Sequence, residues 1–343
     1  MEDTIFYWET LGQQRITESL YKIYKENNIP NSLILYGEKG IGKMSLAKDF
    51  ARLINCKKDD IDEPILCNCL SCEKINNKKH PDFTVIEKSS MCSNNSCCKS
   101  SNSSAIKNCV VSENIISKSK FSPFMSNYKV VVVNQANYLT KVSAESLLKT
   151  LEDINSNFIV ILLIENLYDL PETIISRCQT WKLNKISEKK ILDILSESHP
   201  EKQKQILEIM SFGSPTLGEA TEMLNDSIFF EERQEGLRRI VKIINSPMSD
   251  KLNYSKELTQ LYRKDKERVL YELKIWKNLF RKILKTEDMN EDLETISIMS
   301  PIKKANKLGI KKNIQNILKT EDNLKFNGMP SLVFDNFIIN LEA

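Results

Sequence analysis

The sequence predicts an α/β domain, a parallel sheet with flanking helices, followed by a small helical segment and then a separate all-α domain. Three observations predict it. Apolar runs of strand length occur at Ser32–Tyr36, Val130–Val133 and Phe158–Ile164. The helical pattern of Ser143–Asp153 separates the last two, as a crossover helix between buried parallel strands does. A glycine-rich turn, Gly37–Lys43, joins the first run to a helical stretch, and after Leu183 the strand signals largely give way to helical periodicity.

Length and composition set the limits. The chain has 343 residues, too many for one ordinary domain, so two or three are expected. It is 41% hydrophobic and 28% charged with only nine Gly and ten Pro, which describes a folded, helix-rich chain and excludes a disordered or fibrous one. The net charge of +3 is too small to argue for a dedicated nucleic-acid coat. Met1–Trp8 lacks the basic stretch that opens a secretory signal, and Phe158–Ile164, the longest apolar run, is far short of a membrane span. The expectation is a cytoplasmic protein with no membrane contact, whose nine Cys are metal ligands or core residues before they are disulfides.

Element by element, Ile16, Leu20, Ile23 and Tyr24 recur at helical spacing within Leu11–Ile29, and Pro30 ends that helix. The strand Ser32–Tyr36, the glycine turn and a helix from Lys43 through Leu53 follow. A second strand is expected at Phe83–Glu87. The Ser/Asn-rich stretch Cys92–Ser104 has no periodicity and reads as an exposed insertion loop. The second half carries helical patterns over Ile186–Leu224, Glu231–Ile244, Asp250–Lys285 and Pro301–Lys319. Gly213-Ser214-Pro215 and Pro247 punctuate them, and no internal repeat is present.

Gly37-Glu38-Lys39-Gly40-Ile41-Gly42-Lys43-Met44 fits the phosphate-loop pattern G-x-x-x-x-G-K-[ST] everywhere but its last position. The glycines let backbone amides approach a phosphate, the helix N-terminus adds positive potential, and Lys43 would reach the β and γ phosphates. The last position requires a hydroxyl for Mg²⁺. Met44 offers a thioether, a poor ligand for so hard a cation, and Ser45 lies one residue out of register. The strand Val130–Val133 is followed by Asn134 and Gln135, neutral amides where two acids would hold Mg²⁺ and polarise water. Two Mg²⁺-dependent functions are missing, which predicts weak or absent hydrolysis.

Leu33–Lys43 (LILYGEKGIGK), Cys69–Phe83 (CLSCEKINNKKHPDF), Ser146–Asp153 (SLLKTLED) and Leu170–Cys178 (LPETIISRC) resemble the clamp-loader branch of the AAA+ ATPases, and within it the delta-prime subunits of bacterial DNA polymerase III. The resemblance runs from about Glu9 to Ala220; beyond that it is one of size and helicity only. It implies an AAA+ nucleotide-binding-like domain over residues 1–184, a helical lid over 185–246 and a helical collar, for oligomerisation, over 247–343. The partners it implies are gamma/tau and delta subunits in a hetero-pentameric ring, the sliding clamp, and primed DNA met through the assembled complex.

Within Ser176-Arg177-Cys178, the resemblance implies that Arg177 is an arginine finger reaching the γ-phosphate of ATP held by a neighbouring subunit. The residues alone leave open an arginine that pairs locally. Catalytically active relatives carry an arginine near the start of a lid helix, but the stretch from Gly213 to Ala220 has none, and Ile164, followed by Glu165, stands where a polar residue is expected. The local catalytic parts are altered while the part offered to a neighbour remains. The expectation is a non-hydrolysing, stator-like subunit, not an enzyme on its own but an accessory of a DNA-directed DNA polymerase holoenzyme. Whether its own loop (Gly37, Gly40, Gly42, Lys43, Met44, Ser45) binds nucleotide stays open. The alternatives are an active gamma/tau-type AAA+ motor, against which Met44, Asn134 and Gln135 count, and a zinc-ribbon DNA-binding regulator, weakened by the Cys cluster lying inside an α/β domain.

The same family places a structural zinc module after the first helix of its nucleotide domain, which implies Zn²⁺ on Cys56, Cys67, Cys69 and Cys72 in region 56–72. Cys69 and Cys72 have knuckle spacing. Cys67 is one residue late, so a degraded site, or one recruiting His80 or a later cysteine, remains the other reading. Cys92, Cys97, Cys98 and Cys109 match no zinc pattern. His80, in His80-Pro81-Asp82, is expected to fix the loop entering the next strand, and His199 to be a surface residue. Arg263, Lys264, Lys266 and Arg268 read as a solvated face or as contacts to DNA phosphates. Trp276, Leu279, Phe280 and Ile283 form a packing stripe for the collar core or a ring interface.

Overall fold

A computed structural model describes residues 8–57, 67, 69–93, 105–153, 155–211, 215–285, 307–326 and 328–342. The chain divides into two compact units, Met1–Ile186 and Ser187–Ala343.

The first unit is built on strands β1 (Ser32–Tyr36), β2 (Phe83–Ile86), β3 (Lys129–Val133), β4 (Phe158–Ile164) and β5 (Gln179–Lys182), in the order β2-β3-β4-β1-β5. Every pairing is parallel. Its helices are α1 (Gln14–Lys25), α2 (Lys43–Asn55), α3 (Leu70–Asn76), α4 (Asn108–Val111), α5 (Lys141–Glu152) and α6 (Glu172–Ile175). Successive side chains of a strand point to opposite faces, so a run that is apolar throughout must be covered on both. Leu33, Leu35, Val130, Val132, Ile159, Ile161 and Leu163 face a core shared with α1 and α2. Ile34, Val131, Val133, Val160, Leu162 and Ile164 face a second core shared with α4 and α5. The edge strand β5 carries no such run. Its residues are largely exposed and, among the described residues, it pairs only with β1, which is why the sequence pattern does not announce it.

Two polar clamps tie loops to this sheet. Asn55, the last residue of α2, donates its side-chain amide to the Tyr128 carbonyl at 3.0 Å and accepts from the Tyr128 N–H at 2.9 Å. Asp82, buried just before β2, accepts from the backbone N–H groups of Phe124 (2.7 Å), Met125 (2.8 Å) and Ser126 (3.2 Å) and from the Ser126 hydroxyl (2.9 Å). Burial alone raises a carboxyl, but these donors outweigh it and hold Asp82 below the ordinary carboxylate value.

The second unit contains α7 (Glu188–Ser198), α8 (Gln203–Ser211), α9 (Leu217–Asn225), α10 (Ser227–Ile244), α11 (Met248–Lys264), α12 (Lys266–Lys285), α13 (Lys307–Lys325) and α14 (Pro330–Ile339). The single helical pattern Asp250–Lys285 is in fact two helices. Asp265 interrupts it, its backbone N–H closing α11 on the Leu261 carbonyl (2.7 Å) and its carboxylate accepting the Arg268 N–H (3.1 Å) to begin α12. Trp276, Leu279 and Phe280 are fully buried and Ile283 packs against them, so the stripe belongs to the core of this unit. The Trp276 ring stacks on Phe337 at 5.8 Å and its N–H donates to the Gly236 carbonyl at 2.9 Å. Arg268 pairs with Glu232 at 3.3 Å on the surface. His199 is half-buried beside Glu201. No described helix is long and apolar enough to cross a membrane.

Two stability measurements follow. Trp276→Ala empties the centre of the second unit and should cost about 3–5 kcal/mol in denaturant unfolding; a loss under about 1 kcal/mol contradicts the packing described. For Asp82, a carboxyl depressed in the fold contributes stability above its unfolded value of 3.8 that is lost as pH falls through the folded value. Asp82→Asn should therefore destabilise the chain at pH 7, and the gap to wild type should close below about pH 4. A gap that does not change with pH contradicts the clamp.

Candidate functional site

The phosphate-loop segment leaves the carboxyl end of β1 and turns into α2. Gly40 and Gly42 adopt φ of +75° and +101°, a backbone region that side-chain-bearing residues rarely enter, and Gly42 caps α2. The side-chain ammonium of Lys43 donates to the carbonyls of Gly37 (2.5 Å) and Glu38 (2.8 Å), closing the loop on itself. Met44 packs against the core on the α1/α2 side of the sheet, and Ser45 is exposed. At the end of β3, the Asn134 N–H is tied to the Ile86 carbonyl (2.8 Å), and Gln135 sits at φ +56°. Beside the loop a cleft of about 460 Å³ opens at the carboxyl ends of β1, β4 and β5, lined by Tyr36, Glu38, Glu165, Tyr168, Lys182 and Lys185 among others. Carboxyl ends of parallel strands are where such folds hold ligands.

A buried network, which the sequence reading missed, straps the N-terminal segment across α2. Asp49 accepts both the backbone N–H (2.8 Å) and the hydroxyl (2.6 Å) of Thr10. Arg52 bridges Asp49 (3.3 Å) and Glu9 (2.6 Å). Burial pushes the Asp49 carboxyl up, against the opposing pull of Thr10 and Arg52. A helix covered on every side leaves its charged residues only internal partners, and the i, i+3 spacing of Asp49 and Arg52 was the one available signal.

Arg177 lies at the other edge of the sheet. Its carbonyl accepts the hydroxyl of Ser32, the first residue of β1, at 2.7 Å, and β5 begins two residues later. Five strand residues at about 3.3 Å each put some 13 Å of β1 between this point and the start of the loop. The guanidinium, partly exposed, donates from Nε to Glu152 (2.8 Å), from Nη2 to the same oxygen (2.5 Å) and from Nη1 to the Thr173 carbonyl (3.0 Å). The neighbouring Cys178 thiol is pushed up to about 11 by burial, which marks it as a packed, unreactive group.

The sulfurs of Cys56, Cys67, Cys69 and Cys72 lie within 4.8 Å of one another. Cys56 follows α2, Cys69 caps α3 and Cys72 is inside it. Cys67 precedes α3, outside any helical turn, so its thiol is free to turn toward the others despite the shifted spacing. Cys56 and Cys67 approach to 3.4 Å. Four thiolates at about 2.3 Å from a tetrahedral Zn²⁺ would stand roughly 3.8 Å apart, so the donor set fits that ion. The Cys72 thiol is driven up by the hydrogen bond from Cys56 and by burial, a crowding of sulfur that a dication relieves. His80 is not part of the group. It is buried, its Nε2 meets the Ser71 hydroxyl at 3.0 Å and its Nδ1 accepts the Asp82 N–H at 3.0 Å, so it braces the turn into β2. Burial holds it below the ordinary imidazole value.

Of the remaining cysteines, Cys92 is buried in the core with Ile86 and Ile106, not exposed at the start of an insertion, and Cys109 packs against the same cluster. Cys97, Cys98 and residues 94–104 lie outside the described residues, as do 212–214 and 301–306. Elemental analysis of the purified chain tests the sulfur cluster. About one equivalent of zinc is expected, with a lower melting temperature on chelation, and under about half an equivalent contradicts a structural site.

A family model described as DNA polymerase III, delta subunit, matches residues 12–187. Subunit tau of DNA polymerase III from Bacillus subtilis is 30% identical over 230 residues, 65% of this chain and 38% of the relative. Subunit delta-prime from the same organism is 24% identical over 287 residues, 83% of this chain and 82% of the relative. The chain thus spans well under half the length of the tau relative. Among solved structures, a gamma subunit-related protein from Thermotoga maritima covers 93% of this chain and 97% of its own, with 15% identity and a TM-score of 0.41.

Proposed function

We infer the function from one premise: this chain belongs to the family described as DNA polymerase III, delta subunit. We propose that it is a delta-prime-like, non-hydrolysing subunit of a clamp loader. In this reading it closes a hetero-pentameric ring with gamma/tau and delta subunits, loads the sliding clamp onto primed DNA, and lends Arg177 to ATP bound by its neighbour. Residues 185–246 serve as lid and 247–343 as collar.

The observation that carries this reading is the separation of the two edges of the sheet. Arg177 is pinned at the amino end of β1, while the chain's own loop leaves its carboxyl end, so an arginine at 177 is out of reach of a phosphate on Gly37–Lys43. It is available to a phosphate brought by another subunit. A planar guanidinium stabilises charge spreading over the phosphoryl oxygens, and such a residue supplied in trans is worth about 10³–10⁵ in rate in GTPases. The chain's own loop is poorly equipped for the same chemistry. Met44 is turned to the core where a Mg²⁺-binding hydroxyl is needed, and Asn134 and Gln135 supply no negative charge. Its glycine turn and Lys43 remain suited to holding a nucleotide without cleaving it.

Zinc on Cys56, Cys67, Cys69 and Cys72 would be structural, because four protein ligands leave no open position for a substrate. A second reading, an active gamma/tau-type motor, is favoured by the 30% identity to a tau subunit. Reconstitution with partner subunits, clamp and primed DNA separates the two. In the ATPase of the assembly, Arg177→Ala should lose at least about tenfold while Lys43→Ala stays near wild type. If Lys43→Ala abolishes turnover and Arg177→Ala is silent, the motor reading stands and the present one falls.

A further inference from the structure

We propose that Glu152 is the positioning residue for Arg177, holding its guanidinium in place so that an incoming phosphate meets a preformed donor group. This rests on the reading of Arg177 as a residue acting on a neighbour's nucleotide, and adds the group that makes it competent.

Glu152 is the last residue of α5, where a helix presents unsatisfied carbonyls and disfavours an acid. Its carboxylate is answered by Arg177, from a segment 25 residues further along the chain, through Nε (2.8 Å) and Nη2 (2.5 Å) on one oxygen. Nη1 goes to the Thr173 carbonyl, so three of the five N–H donors of the guanidinium are used and two are left without a partner among the described residues. The backbone of Arg177 is held independently, by the Ser32 hydroxyl on its carbonyl and by its own N–H on Ile174. Both ends of the side chain are therefore fixed, in a residue that is otherwise long and freely rotating.

Fixing it matters because the rotamer freedom of an arginine is lost when its head meets an anion, and an exposed, unheld guanidinium must order at that moment. Glu152 orders it beforehand. Exposed ion pairs contribute little to folding stability, so a pair with two guanidinium donors on one carboxylate oxygen at this place serves alignment better than it serves the fold.

The test is the ATPase of the reconstituted assembly for wild type, Arg177→Ala, Glu152→Ala, Glu152→Gln and the double Glu152→Ala/Arg177→Ala variant. Glu152→Ala should lower kcat about tenfold with KM for ATP within twofold of wild type, a cost typical of a misplaced group. Glu152→Gln, whose amide oxygen still accepts from Nε, should retain most of the rate, and the double variant should be no slower than Arg177→Ala alone. Glu152→Asp keeps the charge but shortens the reach, and should fall between wild type and Glu152→Ala. It provides the same reading should the Ala variant fail to enter the ring. A wild-type or faster rate for Glu152→Ala or Glu152→Asp overturns the proposal, a faster one because it would make Glu152 a restraint. So does a double variant slower than Arg177→Ala. If Arg177→Ala itself is silent, the finger reading falls and this proposal with it. Loss at Arg177 without loss at Glu152 overturns this proposal alone.

Discussion

The first unit is organised around a helix that is buried on nearly every side. From Leu46 through Asn55, α2 has only Lys48 away from full burial. Burying an entire helix removes water from its polar residues, and a charge left unpaired there costs several kcal/mol. Its buried polar residues reach partners from other parts of the chain: Asp49 meets Thr10, Arg52 meets Glu9, and Asn55 meets the turn before β3, while Asp49 and Arg52 also pair with each other. One helix thus locks the N-terminal segment, the loop at its own start and the cysteine cluster at its end into a single arrangement. The loop and the sulfur cluster are far apart in chemistry and share a scaffold.

A parallel sheet has two unlike edges, and this chain uses them differently. At the carboxyl edge lie the glycine turn and the cleft beside it, with Met44 and the amides of Asn134 and Gln135 where hydroxyl and carboxylate chemistry would be required. At the amino edge lies Arg177, fixed at backbone and head group. The well-ordered charge faces outward and the altered machinery faces the chain's own loop. That asymmetry is what the proposed role, assisting a reaction at a neighbour's nucleotide, would require.

Much of the architecture was legible because buried parallel strands write themselves as continuous apolar runs. β1, β3 and β4 appear at almost the limits expected from Ser32–Tyr36, Val130–Val133 and Phe158–Ile164. β5 was not legible, since an exposed edge strand needs no apolar pattern, and the break at Asp265 hid inside a periodicity that simply resumes one residue later. The resemblance implied the four thiols, and the late position of Cys67 counted against them because spacing along the chain does not show where a thiol ahead of α3 comes to lie. Glu9 lies 43 residues from Arg52, the Phe124–Ser126 turn 42 to 44 from Asp82 and Glu152 25 from Arg177, separations at which single-sequence reasoning carries no signal.

Whether the chain's own loop hydrolyses ATP is tested most directly by steady-state Mg²⁺-ATP turnover of the purified chain alone, beside its Lys43→Ala variant. No turnover above that of the variant is expected, even where nucleotide binds. Sustained turnover that Lys43→Ala abolishes would contradict the non-hydrolysing role proposed for this chain.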